Sequence, residues 1–86
     1  MMDDAALKLK LKKMVIEECA LSVAPEDIAD AIDLFAPESG LDLDSIDALQ
    51  ISMGLWKHFG LRIGDPKEFR RLASTIDKMA ACLRAS

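Results

Sequence analysis

The sequence predicts an all-α fold, a small four-helix bundle with three main helices and one short helix. The chain has 86 residues, 51% of them apolar and only 5% aromatic, so aliphatic side chains must fill the core. In several segments these apolar residues recur at helical spacing. A chain of this length supports one hydrophobic core, and we therefore expect a single domain over residues 1–86.

The first helix is predicted from Ala5 to about Leu21, a segment that contains neither glycine nor proline. A short run at its start alternates like a strand, but the helical pattern extends over more residues. That pattern joins Leu7, Leu11, Met14, Val15 and Cys19. Leu9 falls outside it, and we expect this side chain on the wetter side of the helix.

A long loop between the first two helices is predicted from Ser22 to Asp44, because prolines, a glycine and scattered acids interrupt the apolar pattern. Loops of this length inside a compact domain are usually either functional or wrongly assigned. One short piece around residues 27–35 has helical spacing and is predicted to form a helical turn. Leu34 or Phe35 is expected to pin the loop to the core.

The second helix is predicted from Asp44 or Ser45 to His58, with Asp44 as its N-cap and Gly60 as its C-terminal cap. It carries two apolar stripes, although a bundle helix needs only one to pack. The first consists of Ile51, Leu55 and Phe59, and the second of Ile46, Leu49, Met53 and Trp56. Either the helix is central and gripped on both sides, or the second stripe is a docking surface with Met53 and Trp56 as contacts.

Two further helices complete the predicted bundle. A turn at Gly64-Asp65 leads into a brief third helix, Pro66–Leu72, with proline at its first position. The run from Ser74 to Asp77 has the spacing of a capping box, with Asp in place of the usual Glu, and opens the last helix. The apolar face of that helix is formed by Ile76, Met79, Ala80 and Leu83.

The formal net charge of −4 conceals a segregation of charge along the chain. Residues 14–56 contain no Lys or Arg, whereas the segments on either side are basic overall. The middle region carries ten acids: Glu17, Glu18, Glu26, Asp27, Asp30, Asp33, Glu38, Asp42, Asp44 and Asp47. This argues against nucleic acid as the main partner and for basic protein partners, because complementary fields steer association. The alternative is an acidic surface that is only solvated.

The sequence contains no catalytic or metal-binding constellation, and we do not expect an enzyme. His58 is the single histidine, with no nucleophile paired to it in sequence, and neither a glycine-rich phosphate loop nor a His/Cys cluster occurs. A calcium loop counted from Asp42 fails, since its fifth, sixth and twelfth positions hold Ile46, Asp47 and Met53.

Several features point to a cytoplasmic protein. No apolar run approaches the roughly 18 residues of a membrane span, and the N-terminus lacks the charged and apolar regions of a secretory signal. Cys19 and Cys82 lie far apart without metal-ligand spacing, and they are expected to be buried, reduced thiols. We expect a monomer.

The most distinctive run lies at the end of the predicted loop and reads Gly40-Leu41-Asp42-Leu43-Asp44-Ser45-Ile46-Asp47-Ala48-Leu49. It resembles the modification site of acyl carrier proteins, a Gly-x-Asp-Ser-Leu-like run that opens the second helix. Here Leu43-Asp44-Ser45-Ile46 matches it, with Ile46 in place of the commoner Leu. The tetrapeptide alone is ordinary capping, but chain length, helix order, loop position, acidic middle and brief third helix also resemble this family.

The resemblance implies that a phosphopantetheinyl transferase attaches 4′-phosphopantetheine to Ser45, and that the thiol of this arm carries acyl groups as thioesters. Enzymes such as a ketosynthase or an acyltransferase would then receive them. We expect the phosphodiester to lie beside unpaired backbone N–H groups at the helix start, where anions are favoured. Asp44 and Asp47 oppose that anion, and by analogy with the family they contact the basic surfaces of partner enzymes.

The partner-binding residues that the resemblance implies surround Ser45 and follow the second helix: Asp42, Asp44, Ile46, Asp47, Leu49, Gln50, Met53, Trp56 and Lys57. Small residues such as Ala48, Ser52 and Gly54 are expected to leave room for the acyl chain. The second helix of a fatty-acid carrier is typically rich in Glu, whereas no acid follows Asp47 here. We therefore expect a specialised carrier of fatty-acid, polyketide or other lipid synthesis.

Two other interpretations stay open. An aminoacyl or peptidyl carrier would use the same chemistry, but its Gly-Gly-x-Ser-type motif differs from Asp44-Ser45. An unmodified helical adaptor would bind proteins through the stripe from Ile46 to Trp56 and would carry no arm.

Overall fold

A computed structural model describes residues 3–85. Within that range the chain forms no β-strand and four α-helices: α1 (Asp4–Glu18), α2 (Ser45–Phe59), α3 (Pro66–Ala73) and α4 (Ile76–Ala85). α1 packs against α2 and α4, and α3 packs against the same two helices. The prediction of a small all-helical bundle is confirmed.

One hydrophobic core lies between the helices, and every helix contributes to it. The largest fully buried side chains are Phe69, Leu11, Leu34, Ile51, Leu55, Ile76, Met79 and Val15. Leu9 is 43% exposed, as its place outside the helical pattern predicted. Because most of these side chains are aliphatic, the core owes its stability to close packing of branched and flexible chains more than to aromatic pairs.

α1 ends at Glu18, earlier than the predicted Leu21. Ala20 is left-handed, with φ 53°, and the N–H of Leu21 donates to the Ile16 carbonyl oxygen at 2.9 Å. A left-handed residue followed by such a bond closes a helix C-terminus. The prediction ran past this end because the apolar spacing continues to Leu21.

Two short 3-10 turns, Pro25–Asp27 and Pro37–Ser39, lie in the connecting segment (residues 19–44). The helical turn predicted over residues 27–35 is wrong, because Asp27 Oδ2 accepts the Ala24 N–H at 3.1 Å and closes the turn at Pro25 instead. Leu34 is fully buried, and its N–H donates to the Ser74 carbonyl oxygen at 2.8 Å. The expected pin between this segment and the core is therefore Leu34.

The last two helices begin at side-chain caps. Asp65 accepts the Lys67 N–H at 2.8 Å at the start of α3. Thr75 Oγ1 accepts the Lys78 N–H at 3.0 Å, so the predicted capping box from Ser74 is wrong by one residue. Ser74 instead forms the C-terminal cap of α3. None of the helices in residues 3–85 combines the length and apolar character that a membrane crossing requires.

Candidate functional site

Ser45 is the first residue of α2 and is exposed to solvent. Asp44 precedes it as the N-cap, and its Oδ1 accepts the backbone N–H groups of Ile46 at 3.0 Å and Asp47 at 3.1 Å. The Asp47 carboxylate in return accepts the Asp44 N–H at 3.1 Å. This capping box fixes the helix start. Because no hydrogen bond within the described chain engages the Ser45 hydroxyl, a well-ordered turn presents it to solvent.

The capping box determines where a phosphate on Ser45 would lie. The expectation of unpaired N–H groups beside the serine is only partly met, because Asp44 already accepts those of Ile46 and Asp47. A phosphodiester on Ser45 would meet this carboxylate at the helix end and would be repelled towards solvent. The residues here fit a group held by its covalent bond to Ser45, with no phosphate pocket around it.

The acidic side chains beside Ser45 point outwards because leucines anchor the chain between them. Leu41 and Leu43 are buried, whereas Asp42 and Asp44 are exposed, so the chain alternates inward and outward as it approaches α2. Asp42 adopts φ 54°, a left-handed conformation that Asp tolerates better than most residues. The structure thus brings the predicted acids Asp42, Asp44 and Asp47 together at one end of α2.

The two predicted faces of α2 differ sharply in exposure. Ile51 and Leu55 are fully buried, whereas the other face forms an exposed apolar stripe. Its members and their exposed fractions are Ile46 (68%), Leu49 (55%), Met53 (57%) and Trp56 (56%). The interpretation of α2 as a central helix gripped on both sides is therefore wrong. Large apolar side chains exposed in a continuous row are typical of an interaction surface.

Gln50 and Lys57, the other predicted partner contacts on α2, are placed differently. Gln50 is half-buried. Lys57 is exposed, and its Nζ lies 2.8 Å from Glu18 Oε1, which His58 Nε2 approaches at 3.6 Å. The hydrogen bond from Lys57 lowers the pKa of Glu18, and the same bond raises the pKa of Lys57. This ion pair joins the end of α2 to α1.

Arg62 belongs to the candidate site although the sequence did not indicate it. After Gly60, a left-handed residue with φ 71°, the chain turns back along α2. The Arg62 guanidinium carbon then lies 5.4 Å from the centre of the Trp56 ring, within cation–π distance. A groove of about 220 Å³ is lined by Ser52, Met53, Trp56, Arg62 and Ile63. Only the glycine cap at residue 60 signalled that the chain reverses there.

The three small residues expected to leave room for a chain do not share one space. Ala48 and Ser52 line a cavity of about 50 Å³ between α2 and the start of α3. Gly54 faces α1, where a Cβ would lie 2.6 Å from Met14 Sδ. Its inclusion was wrong, because the Met14 and Glu18 side chains of α1 fill the space beside Gly54.

Cys19 lies directly behind the Ser45 turn. Its Sγ is 3.8 Å from the Asp47 carbonyl oxygen, a weak thiol hydrogen bond. Burial, reinforced by the negative charge of Asp47, raises the pKa of Cys19 to about 11. Both Cys19 and Cys82 are free thiols, but they are half-buried rather than fully buried as expected.

The candidate site therefore consists of the Ser45 hydroxyl, the acids around it and the apolar stripe that begins at Ile46. In the part of the chain that the structure describes, no three His, Cys, Asp or Glu side chains are grouped so that they could hold a metal ion. Comparison of the chain with protein-family models, with curated proteins and with solved structures found no match.

Proposed function

We propose that the protein is an acyl carrier, in which Ser45 bears a covalent 4′-phosphopantetheine arm. The observation that carries the proposal is the placement of Ser45: an exposed, unbonded hydroxyl on the first turn of α2. Acidic side chains surround it, and an exposed apolar stripe begins at the next residue, Ile46. When bound, the arm supplies a thiol that holds acyl groups as thioesters.

The loading step is a phosphoryl transfer from coenzyme A, catalysed by a phosphopantetheinyl transferase. The Ser45 oxygen attacks the phosphorus that bears the pantetheine, and a serine O–P bond forms. The P–O bond to the second phosphate breaks, 3′,5′-ADP leaves, and a base of the transferase takes the hydroxyl proton. This chain needs only to present the hydroxyl, which the Asp44–Asp47 capping box does by fixing the turn.

Delivery to partner enzymes is the second part of the proposal. Tethering raises the local concentration of the acyl group at a docked enzyme without any new contact. Asp42, Asp44 and Asp47 would steer a basic surface towards Ser45, while the stripe supplies apolar contact area. Asp42 and Asp44 end the connecting segment and Asp47 lies in the first turn of α2, so all three would lie beside the arm. A ketosynthase or an acyltransferase would be such a partner.

Intact mass spectrometry after incubation with coenzyme A and a broad-specificity transferase tests the proposal. We expect the wild-type chain to gain the mass of one phosphopantetheine and Ser45→Ala to gain none. Ser22→Ala is the matched control, because Ser22 is an exposed serine of the connecting segment and should leave loading intact. An unchanged mass of the wild-type chain would contradict the proposal.

An unmodified helical adaptor is the second candidate, and the exposed apolar stripe favours it. The same experiment separates the two, since an adaptor gains no arm. An aminoacyl or peptidyl carrier would gain it, and would then accept amino acids from an adenylating enzyme in place of acyl groups.

The proposal also includes specialisation, because the acids of α2 end at Asp47. We expect ketosynthases and acyltransferases of housekeeping fatty-acid synthesis to process the loaded chain poorly. Elongation assays with purified synthase enzymes measure this, and efficient turnover would show that the carrier is an ordinary one.

A further inference from the structure

The charge beside the apolar stripe changes sign from one end of α2 to the other. At the Ser45 end lie the exposed carboxylates of Asp42 and Asp44. At the Gly60 end lie the cations of Lys57 and Arg62, and no acid of α2 follows Asp47. A partner that covers the whole stripe therefore meets negative charge at the Ser45 end and positive charge at the Gly60 end.

Arg62 is the more available of the two cations. Lys57 is already paired with Glu18, whereas no carboxylate of residues 3–85 lies within ion-pair distance of Arg62. Its guanidinium is exposed, and Trp56 is the partner that the structure gives it. A guanidinium beside an aromatic ring keeps N–H donors for a carboxylate, which it recognises in a bidentate manner. The groove beside Met53 and Trp56 thus combines apolar walls with a cation that has no carboxylate partner within residues 3–85.

We propose that the protein partner of this face has a groove of mixed charge: basic where it meets Ser45, apolar along the stripe, and carboxylate-bearing where it meets Trp56 and Arg62. The inference rests on the proposed function for the claim that the partner approaches Ser45. It goes beyond that function by assigning an acidic contact to the partner and a binding role to Arg62.

Charge complementarity favours this occupant over two others. An anionic lipid surface would attract Arg62 but would be repelled by the carboxylates at the other end of the same stripe. A uniformly basic partner would be attracted by Asp44 but repelled by Arg62, since like charges that face each other in an interface weaken binding. A mixed groove also fixes the direction in which α2 lies, so the partner's active site meets the arm at one end only.

Isothermal titration calorimetry of the unmodified chain with synthetic peptides tests this. Three amphipathic helical peptides share one leucine stripe and differ in their ends: Lys at both, Glu at both, or Lys at one and Glu at the other. We expect the mixed peptide to bind tightest, by about three- to tenfold over the Lys-only peptide. NMR shift changes should follow the stripe from Ile46 to the Trp56 indole.

Variants at residue 62 show whether Arg62 causes the preference for the mixed peptide. Arg62→Gln should remove the preference for the mixed peptide, and Arg62→Glu should transfer it to the Lys-only peptide. Lys78→Glu is the control, since this exposed residue of α4 changes the net charge as Arg62→Glu does but lies on a helix that packs on α1 and α3. It should leave the preference unchanged.

Four outcomes would overturn the inference. The first two are tightest binding of the Lys-only peptide by the wild-type chain, and absence of binding by the mixed peptide. The third is a dimer in sedimentation that dissociates in Trp56→Ala, which would assign the stripe to a second copy. The fourth is binding to phosphatidylglycerol vesicles that depends on Arg62. None of these changes the mass gain at Ser45, so the two proposals fail separately.

Discussion

Gly54 shows how a single missing side chain sets the distance between two helices. A Cβ at this position would lie 2.6 Å from Met14 Sδ and 2.8 Å from Glu18 Cγ, so either α1 or its side chains would have to move. We predict that Gly54→Ala destabilises the fold by about 1–3 kcal/mol through overpacking. Alanine gains roughly 1 kcal/mol in helix propensity, which offsets part of this loss, so the net destabilisation should reach about 2 kcal/mol at most.

Urea denaturation checks this prediction, with Gly64→Ala as the matched control. A Cβ at Gly64 would meet nothing within 4 Å, so that change should stay within about 0.5 kcal/mol. The double variant Gly54→Ala/Met14→Ala shortens the obstructing Met14 side chain. Its loss of unfolding free energy should be smaller than the sum of the losses in the two single variants. Equal stability of Gly54→Ala and Gly64→Ala would contradict the close approach.

Cys19 illustrates the effect of burial on a single thiol. With a pKa of about 11, it should be almost entirely protonated at pH 8. Because only the thiolate reacts, we predict alkylation about a hundredfold slower than for an unperturbed cysteine. Iodoacetamide labelling of Cys82→Ser, followed by intact mass, measures this rate. In the loaded protein, the thiol of the arm on Ser45 would then react faster than Cys19. Rapid labelling of Cys19 in the unloaded chain would contradict the prediction, because it would show that the Cys19 thiol is accessible and ionised.

At the scale of one element, α2 has one buried face and one exposed apolar face. Trp56→Ala removes a side chain that is 56% exposed and contacts Arg62, and we predict a loss of unfolding free energy of about 1 kcal/mol. Leu55→Ala, one residue away on the fully buried face, should cost about 2–5 kcal/mol. Partner or peptide binding should weaken in Trp56→Ala while the fold persists. Unfolding of Trp56→Ala comparable to that of Leu55→Ala would show that the stripe is part of the core.

The sequence predicted α2 almost to the residue because three independent signals coincide there. Asp44 is an N-cap, Gly60 is a left-handed cap, and the apolar period between them is helical. The same period predicted both stripes but could not say which face would be covered, because exposure depends on the other helices. Arg62 escaped prediction for a related reason: its contact with Trp56 arises only when the chain turns back after Gly60.

At the scale of the whole molecule, an ion-pair cluster joins α1, the connecting segment and α4. Lys12 Nζ lies 2.7 Å from Asp30 Oδ1, and Lys8 Nζ lies 2.7 Å from Asp77 Oδ1. Lys8 also approaches Asp30 at 3.7 Å, and the Asp77 N–H donates to the Asp30 carbonyl oxygen at 3.0 Å. Asp30 is thus the residue through which the connecting segment is tied to both helices.

The cluster predicts a pH dependence of stability. The hydrogen bond from Lys12 lowers the pKa of Asp30, and the bond from Lys57 lowers that of Glu18. A carboxylate with a lowered pKa stabilises the fold above its unfolded value, near pH 4, and this contribution disappears as pH falls through the folded value. The hydrogen bond to Asp77 raises the pKa of Lys8, whose contribution to stability is present below the unfolded value, about 10.5, and is lost as pH rises through the higher folded value.

Urea denaturation monitored by circular dichroism from pH 2 to 7 measures how the free energy of unfolding changes at acidic pH. We expect the free energy of unfolding to fall below about pH 4, and to fall less steeply in Asp30→Asn. Glu26→Gln is the control, because Glu26 is an exposed acid of the same segment with no ion pair among the described residues. Parallel curves for Asp30→Asn and wild type would show that the cluster contributes nothing.

The connecting segment marks the limit of prediction from sequence. The sequence predicted Leu34 or Phe35 as its anchor, and only the structure shows that Leu34 is the fully buried one. The two short turns of the segment and the ion pairs of Asp30 were not predicted, since they depend on contacts with α1 and α4 that leave no local pattern. The outward position of Asp42 and Asp44 also requires knowing that Leu41 and Leu43 are buried.

Trp56 is the single tryptophan of the chain, and it lies on the exposed stripe rather than in the core. Its side chain is more than half exposed while the protein is folded, so unfolding should shift its emission less than it would for a core tryptophan. A partner that covers the stripe would withdraw the ring from water and shift its emission to shorter wavelength. The protein thus carries an intrinsic optical probe that would respond more strongly to a partner covering the exposed stripe than to unfolding.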